Sequence, residues 1–248
     1  MNIYRKNIMK LLFTLLVLSS FLANAYEFEL ESTDTQTQII ELYTSEGCSS
    51  CPPADRWLSK LKQSKDLWSA YIPMAFHVDY WDYIGWKDKL ALANNSHRQQ
   101  LHRIFNNIPT VYTPGILKAG KEWRNWRFIE PNNVSTSPIK VGKLSTQLND
   151  NQLTVSFLPE KPLETYKLNI ALMGMNIKNS IKAGENHGKL LKHDFVVLKH
   201  QTYVSSTPNW DLALDSNFLN HEYTDLAFVA WIEAEKNPAP IQAVGKFL

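Results

Sequence analysis

The sequence predicts an α/β domain over residues 26–130 and a second domain, rich in antiparallel β-strands, over residues 131–248. Within the first range, short β-prone runs alternate with runs of helical periodicity, which is the pattern of an α/β unit. Residues 131–138 are rich in proline, asparagine and serine and have the composition of a loop or linker. Beyond them, apolar and polar residues alternate with a period of two, as in strands with one buried face. This change of pattern places the predicted domain boundary near residue 130.

The first 25 residues have the pattern of a bacterial secretory signal peptide. Basic residues come first, an apolar run follows over residues 11–22, and small residues at positions 23 and 25 suit a signal peptidase. The apolar run is shorter than the ~20 residues that span a bilayer, which favours cleavage over retention as a membrane anchor. We therefore expect cleavage after Ala25 and a periplasmic or secreted location.

The charge of the mature chain argues against two classes of partner. The 248 residues include 26 Lys and Arg against 24 Asp and Glu, and three of the basic residues lie in the predicted signal peptide. The mature protein is therefore close to neutral and lacks the basic face that binds nucleic acid or anionic lipid. We expect no nucleic-acid partner and no membrane association after signal cleavage.

The strands of the first domain are short β-prone runs bounded by turn residues. Residues 39–43 lead into a turn, and residues 71–78 are apolar with a proline near their start. Residues 111–119 are extended on either side of Pro114, and a turn at residues 119–121 leads into a hairpin. These runs predict three strands and a hairpin at the end of the domain.

Two helices are predicted between these strands. The first begins at Pro52 and Pro53, because a residue in the first helical turn needs no amide donor. It extends to Leu67 with apolar residues at helical spacing. The second covers residues 87–106, where apolar residues recur among polar ones.

The second domain is predicted to be a set of strands with alternating polarity. A turn-rich loop lies at residues 184–188. The strand candidates are residues 153–157, 166–172, 195–203 and 226–232.

Both cysteines of the chain stand in one stretch, Cys48-Ser-Ser-Cys51, directly before the first predicted helix. A thiol–disulfide exchanger needs two sulfurs that can bond to each other after one has attacked a partner, and this spacing allows it. Helix-terminal amides and the macrodipole stabilise a thiolate there, and the hydroxyls of Ser49 and Ser50 add donors. We expect Cys48 to face solvent as the attacking sulfur and Cys51 to resolve the mixed disulfide.

Several long motifs carry a resemblance to a known family. They are residues 41–55, 77–82 with 85–88, 111–114, and 184–188 with His193. On these motifs the chain resembles domain of unknown function 1223, a family of secreted bacterial thioredoxin-like proteins, over almost all of its mature length. The resemblance implies that the first domain is thioredoxin-like and that Cys48 and Cys51 take the positions of the thioredoxin cysteine pair.

The resemblance also assigns roles around the cysteines. Pro114 falls where thioredoxins carry a cis proline facing the pair, and the preceding Thr113 would offer backbone hydrogen bonds to an extended substrate. Thioredoxins place a buried acid near the pair on the first strand. The ungapped equivalent here is Leu42, and Glu41 takes that place only if the turn carries one extra residue.

A polar segment after the second strand supplies further candidates. It contains His77, Asp79, Trp81 and Asp82, and strand alternation would put His77 and Asp79 on one face. His77 and Asp79 would then form a proton relay or a polar wall beside the cysteines, with Trp81 and Asp82 as further accessory candidates. The alternative is that the aromatic residues are ordinary packing and the acids are turn or helix caps, and the sequence leaves both interpretations open.

Three other interpretations of the cysteine pair remain. A purely structural disulfide is disfavoured, because so short a loop removes little chain entropy. A non-enzymatic binding module would use the cleft around Cys48, Pro114 and Trp81. A copper- or zinc-handling protein would add His77 or Asp79 to the two sulfurs.

The hypothesis from the sequence is an exported protein that exchanges disulfides with a protein or small-thiol substrate. Its redox partner is not identified, and the cysteine couple replaces a dissociable cofactor. No metal site is predicted. His187, His193 and His200 are interpreted as loop and surface residues rather than ligands.

Overall fold

Strands dominate the described part of the chain, which has fourteen of them and two α-helices. The computed structural model describes residues 26–215 and 217–248, so the predicted signal peptide lies outside the described residues. The helices are α1 (Pro52–Lys60) and α2 (Ala93–Ile104), and short 3-10 helices lie at Leu61–Gln63, Asp82–Ile84, Arg124–Phe128 and Pro131–Asn133. The strands are β1 (Phe28–Glu31), β2 (Gln38–Thr44), β3 (Tyr71–His77), β4 (Gly115–Lys118), β5 (Lys121–Glu122), β6 (Gly142–Asn149), β7 (Gln152–Pro159), β8 (Tyr166–Gly174), β9 (Ile177–Ser180), β10 (Leu190–His193), β11 (Val196–Ser205), β12 (Asn209–Ala213), β13 (Leu226–Ala234) and β14 (Asn237–Phe247).

One mixed sheet of eight strands runs through the molecule in the order β14-β13-β8-β11-β3-β2-β4-β5. β2 and β3 are parallel, and their carboxyl ends place Thr44 beside His77. β11 joins the other edge of β3 in parallel, through Val196 beside Ala75. Every residue of β2 and β3 is buried, as expected for parallel strands covered on both faces.

The predicted architecture, a thioredoxin-like α/β domain followed by an antiparallel β-rich domain, is wrong. The chain is mostly β-sheet, and strands from both sides of residue 130 belong to the same eight-stranded sheet. Local periodicity identifies a strand but does not say which strand it pairs with. The predicted boundary between two domains, at residues 130 and 131, stays a prediction.

A second sheet of four antiparallel strands, in the order β1-β6-β7-β12, covers part of the large one. Buried and solvent-facing residues alternate along β6 and β7, so one face of this sheet is in the core. Its apolar residues, such as Leu144 and Phe157, form one core with Leu168 and Phe228 of the large sheet. A separate core around β2, β3 and α1 supports the cysteine-containing turn. β9 and β10 form a two-stranded sheet of their own.

Both helices are shorter than predicted. α1 ends at Lys60 and continues only as a 3-10 turn, and α2 begins at Ala93. The residues before α2 are bonded elsewhere, because the Asp88 carboxylate accepts the Glu46 amide and the Leu92 amide donates to the His77 carbonyl. Among the described residues, no helix is long and apolar enough to cross a membrane.

Candidate functional site

Cys48 and Cys51 form a disulfide at the start of α1, with their Cα atoms 5.5 Å apart. The Cys48 amide donates to the Ser45 carbonyl, and Cys51 is the N-cap residue of the helix. Only 1% of Cys48 and 0% of Cys51 is exposed. The expectation that Cys48 faces solvent is therefore wrong, and its sulfur becomes accessible only when the residues around the turn move.

The loop at residues 184–188 holds the cysteine-containing turn in place. The buried Asn186 side chain donates to the carbonyl oxygens of Glu46 and Cys48, at 2.8 and 3.0 Å. The Glu185 carboxylate accepts the Ser49 amide at 3.1 Å. The two segments are far apart in sequence, and these bonds fix one against the other.

The first turn of α1 has few backbone donors to offer a sulfur. Pro52 and Pro53 carry no N–H, and the amides of Ala54 and Asp55 donate to the Cys51 carbonyl at 2.8 and 3.2 Å. The Ser50 hydroxyl lies 3.3 Å from the Cys48 sulfur and is placed to donate to it. Stabilisation of a Cys48 thiolate therefore depends on this side chain more than on helix amides.

The loop before β4 approaches the same turn through Trp81. The Thr113–Pro114 peptide bond is cis, as the sequence resemblance implied. The Trp81 indole nitrogen donates to the Thr113 hydroxyl at 2.7 Å. Trp81 also packs on Gly47, where an added Cβ would lie 3.0 Å from the Trp81 Cβ. Trp81 therefore bridges the loop with the cis proline and the cysteine-containing turn.

The remaining polar candidates have separate partners. His77, the last residue of β3, is fully buried and its Nδ1 lies 2.7 Å from Asp88 Oδ2. Asp79 lies beyond the strand, where its carboxylate accepts the Ser96 hydroxyl of α2 at 2.5 Å. Asp82 accepts the Asp88 amide at 3.1 Å, and burial raises the pKa of the Asp82 carboxyl. The expected common face of His77 and Asp79 is wrong, because the strand ends between them.

Glu41 is fully occupied by an ion pair inside the sheet. Its carboxylate accepts two bonds from Arg98 of α2, at 2.8 and 3.1 Å, and one from the Tyr43 hydroxyl at 2.7 Å. Burial alone would raise the pKa of Glu41, but the charges of Arg98 and His102 hold it well below its ordinary value. These contacts connect β2 with α2 and leave Glu41 poorly suited to accept a proton from Cys51.

A cluster that the sequence analysis missed lies beside the start of α1. His193, the last residue of β10, is 2% exposed, and its ring stands edge-on to the His77 ring at a centroid distance of 4.8 Å. Its Nε2 lies 3.3 Å from Glu46 Oε1 and its Nδ1 lies 3.8 Å from Asp55 Oδ1. Burial disfavours the charged imidazole, but the two carboxylates outweigh it and raise the pKa of His193 to about 10. The interpretation of His193 as a surface residue is wrong.

Comparison with known proteins assigns the family. A family model described as "Protein of unknown function (DUF1223)" matches residues 39–232, which is most of the chain. The chain belongs to the DUF1223 family. Among curated proteins, no match to it is found.

Two solved structures share the fold of this DUF1223 chain. The crystal structure of protein AGR_C_4864 from Agrobacterium tumefaciens is 22% identical with a TM-score of 0.64, and the match covers 88% of this chain and 96% of that one. HBP35 of Porphyromonas gingivalis is 13% identical with a TM-score of 0.52, covering 87% of this chain and 76% of that one. At these identities the similarity shows a shared fold alone.

The motifs that carry the DUF1223 resemblance also contain the residues that the sequence analysis missed. Glu46 and Asp55 belong to the cysteine segment, Asp88 follows the polar segment, and His193 follows the loop at residues 184–188. Their presence in these motifs was a usable signal. What the motifs could not reveal is that the four side chains converge on one buried point.

Two cavities border α1. One, of about 610 Å³, is lined by the exposed Ser50 and by residues of α1 that include Trp57 and Lys60. The other, of about 260 Å³, lies on the side of Asp55 and His193. The larger cavity adjoins the cysteine-containing turn, and the smaller adjoins the histidine cluster.

Proposed function

We propose that this DUF1223 chain is a thiol–disulfide exchange protein that works outside the cytoplasm, with Cys48 and Cys51 as its redox couple. The observation that carries the proposal is the Cys48–Cys51 disulfide at the N-terminus of α1, with the Ser50 hydroxyl 3.3 Å from the Cys48 sulfur. The signal-like pattern of the first 25 residues supports an oxidising location, where such a bond persists.

The proposed reaction begins with a thiolate of a partner dithiol, which attacks the Cys48 sulfur. The Cys48–Cys51 bond breaks, its electron pair goes to the Cys51 sulfur, and a mixed disulfide forms between Cys48 and the partner. The second partner thiolate then attacks the partner's own sulfur and releases Cys48. The partner dithiol is oxidised to a disulfide, the Cys48–Cys51 pair is reduced to a dithiol, and the two protons pass from one to the other.

The surroundings of the couple support a peptide or small-thiol substrate. Thr113 and the cis Pro114 are linked to the cysteine-containing turn through Trp81, so an extended chain beside them would lie next to Cys48. The cavity beside Ser50 has aromatic and basic lining residues from α1, Trp57 and Lys60, which suit an apolar or acidic group. Because Cys48 is buried, substrate binding has to open the turn.

The reduction potential of the Cys48–Cys51 couple tests the proposal, measured by equilibration with glutathione and with dithiothreitol. We expect a value between about −270 and −120 mV, the range of proteins that exchange disulfides. A value below about −300 mV would mark a permanent structural bond and contradict the proposal.

A trapping experiment provides the second readout. The reduced Cys51→Ala variant should accumulate mixed disulfides when it is mixed with a partner that carries a disulfide. Cys48 attacks that disulfide, the partner's second sulfur leaves as a thiolate, and no resolving sulfur remains. The double variant Cys48→Ala/Cys51→Ala is the matched control and should form none. The absence of adducts with Cys51→Ala would contradict the proposal.

A further inference from the structure

We propose that Asp55, His77 and His193 form a binding site for one divalent transition-metal ion of the zinc class, separate from the two cysteines. The three side chains come from α1, the end of β3 and the end of β10, and all are buried. One potential ligand atom of each lies within 4.8 Å of the others. Two imidazoles and a carboxylate are a donor set that zinc commonly takes.

His77 is oriented as a ligand. The Asp88 carboxylate accepts the amides of Glu46 and Leu90 and lies 2.7 Å from His77 Nδ1. An ionised carboxylate only accepts, so Nδ1 carries a proton, and Nε2 is the nitrogen left to bind an ion. Within the described part of the chain, the buried Nε2 has no hydrogen-bond partner. A metal-binding histidine usually donates one ring N–H to a carboxylate, and its other ring nitrogen is free to bind the metal.

His193 stands between two carboxylates. Glu46 Oε1 lies 3.3 Å from Nε2, while Nδ1 faces Asp55 Oδ1 at 3.8 Å. Neither nitrogen has a well-aligned hydrogen bond to any described residue, although only 2% of the side chain is exposed. Glu46 is itself held by Trp86 and Asn179, at 2.8 and 2.7 Å. These contacts point to Asp55 Oδ1, His77 Nε2 and His193 Nδ1 as the ligand atoms, and the ion would displace the proton on His193 Nδ1.

The size of the site suits a small ion. Zinc binds nitrogen and oxygen at about 2.0–2.2 Å, so tetrahedral ligands lie roughly 3.3–3.6 Å apart. From a separation of at most 4.8 Å, the ligand atoms would therefore close by up to roughly 1.5 Å. Asp55 and His193 also line the smaller cavity, of about 260 Å³, which offers an access route and room for a water molecule as fourth ligand. The unpartnered Nε2 of His77, the carboxylates beside both histidines and the access route all point to the same ion.

The test titrates Zn²⁺ alone into the purified, disulfide-bonded full chain after treatment with a chelator, by isothermal titration calorimetry. We expect one ion per chain, a higher Tm with Zn²⁺, and a four-coordinate absorption spectrum when Co²⁺ replaces it. His193→Gln and Asp55→Asn should weaken Zn²⁺ binding by on the order of 100-fold or more. Asp88→Asn, which weakens the support behind His77 without changing a ligand, should weaken it by about 10- to 100-fold.

Two controls separate this site from other sources of binding. His187→Gln changes an exposed histidine of the neighbouring loop and should leave the affinity unchanged. Cys48→Ser/Cys51→Ser should also keep it, which makes the result independent of the proposed exchange reaction. No Zn²⁺ uptake by the natural chain, unchanged affinity in His193→Gln, or loss of binding in the cysteine variant would each overturn the proposal.

Discussion

The Ser50 hydroxyl is placed to donate a hydrogen bond to the Cys48 sulfur, whereas the first turn of α1 has few backbone amides free to do so. The first two residues of α1 are prolines, and the next two amides are bonded to the Cys51 carbonyl. In the dithiol form, a thiolate on Cys48 would therefore find its donor in the Ser50 hydroxyl, now 3.3 Å away. Ser49 is also exposed, but its amide donates to Glu185 rather than to the sulfur.

This difference between the two serines can be measured. Ser50→Ala should slow alkylation of Cys48 by iodoacetamide at pH 7 by roughly 3- to 10-fold in the reduced protein. The reason is that a hydrogen bond to a charged group contributes about 1.5–3 kcal/mol when buried, and less at an exposed side chain. Ser49→Ala is the matched control and should react like the natural chain. Equal rates in both variants would mean that the thiolate is stabilised elsewhere.

The loop at residues 184–188 restrains the start of α1. Asn186 is buried, donates to two carbonyls of the cysteine-containing turn, and accepts from Lys189 at 2.9 Å. Since Cys48 is buried as well, an attacking thiol reaches it only if this contact loosens. Access to the disulfide is therefore coupled to the stability of a loop from a distant part of the chain.

Asn186→Ala should release this restraint. We expect the free energy of unfolding to fall by about 1–3 kcal/mol, because buried carbonyls lose their donor. Reduction of the disulfide by dithiothreitol should become several-fold faster under native conditions. His187→Ala, an exposed neighbour in the same loop, should change neither quantity. A less stable protein with an unchanged reduction rate would show that the loop does not control access.

One histidine of the eight-stranded sheet is expected to make the stability of the protein sensitive to acid. His200 of β11 lies at hydrogen-bond distance, 3.0 Å, from the Asn169 side chain of β8 and stacks on Trp231 of β13. Burial, followed by the charge of Arg98, lowers the pKa of His200 to about 3 from the model-peptide value of 6.5. The folded sheet therefore keeps this imidazole neutral at a pH where the unfolded chain takes up a proton.

The sign of the pH dependence follows from this lowered pKa. The contribution of neutral His200 is fully present above pH 6.5 and is lost as the pH falls from 6.5 toward about 3. In denaturant titrations, the natural chain should lose stability between pH 7 and pH 4, and His200→Gln should lose less. His97→Gln, at an exposed position of α2, should follow the natural chain. An equal loss in His200→Gln would assign the acid sensitivity to other groups.

Local sequence signals were enough to locate the cysteine pair and the cis proline. The spacing of Cys48 and Cys51 before two prolines predicted a pair at a helix start, and the family motif pointed to a cis bond at Pro114. Both features depend on neighbouring residues, so they can be read without knowing the fold. The burial of Cys48 could not be read in this way, because a loop from the far half of the chain covers it.

Only the folded structure shows which distant strands pair with each other. β11 forms beside β3 because the amides and carbonyls at the edge of a buried parallel strand need hydrogen-bond partners. The alternation of residues 195–203 predicts a strand but does not indicate that it pairs with β3. The same pairing brings β10 to α1, so that His193 meets His77 and Asp55. A sequence records the period and polarity of each segment, whereas contacts between distant segments arise from the complementarity of surfaces that exist only after folding.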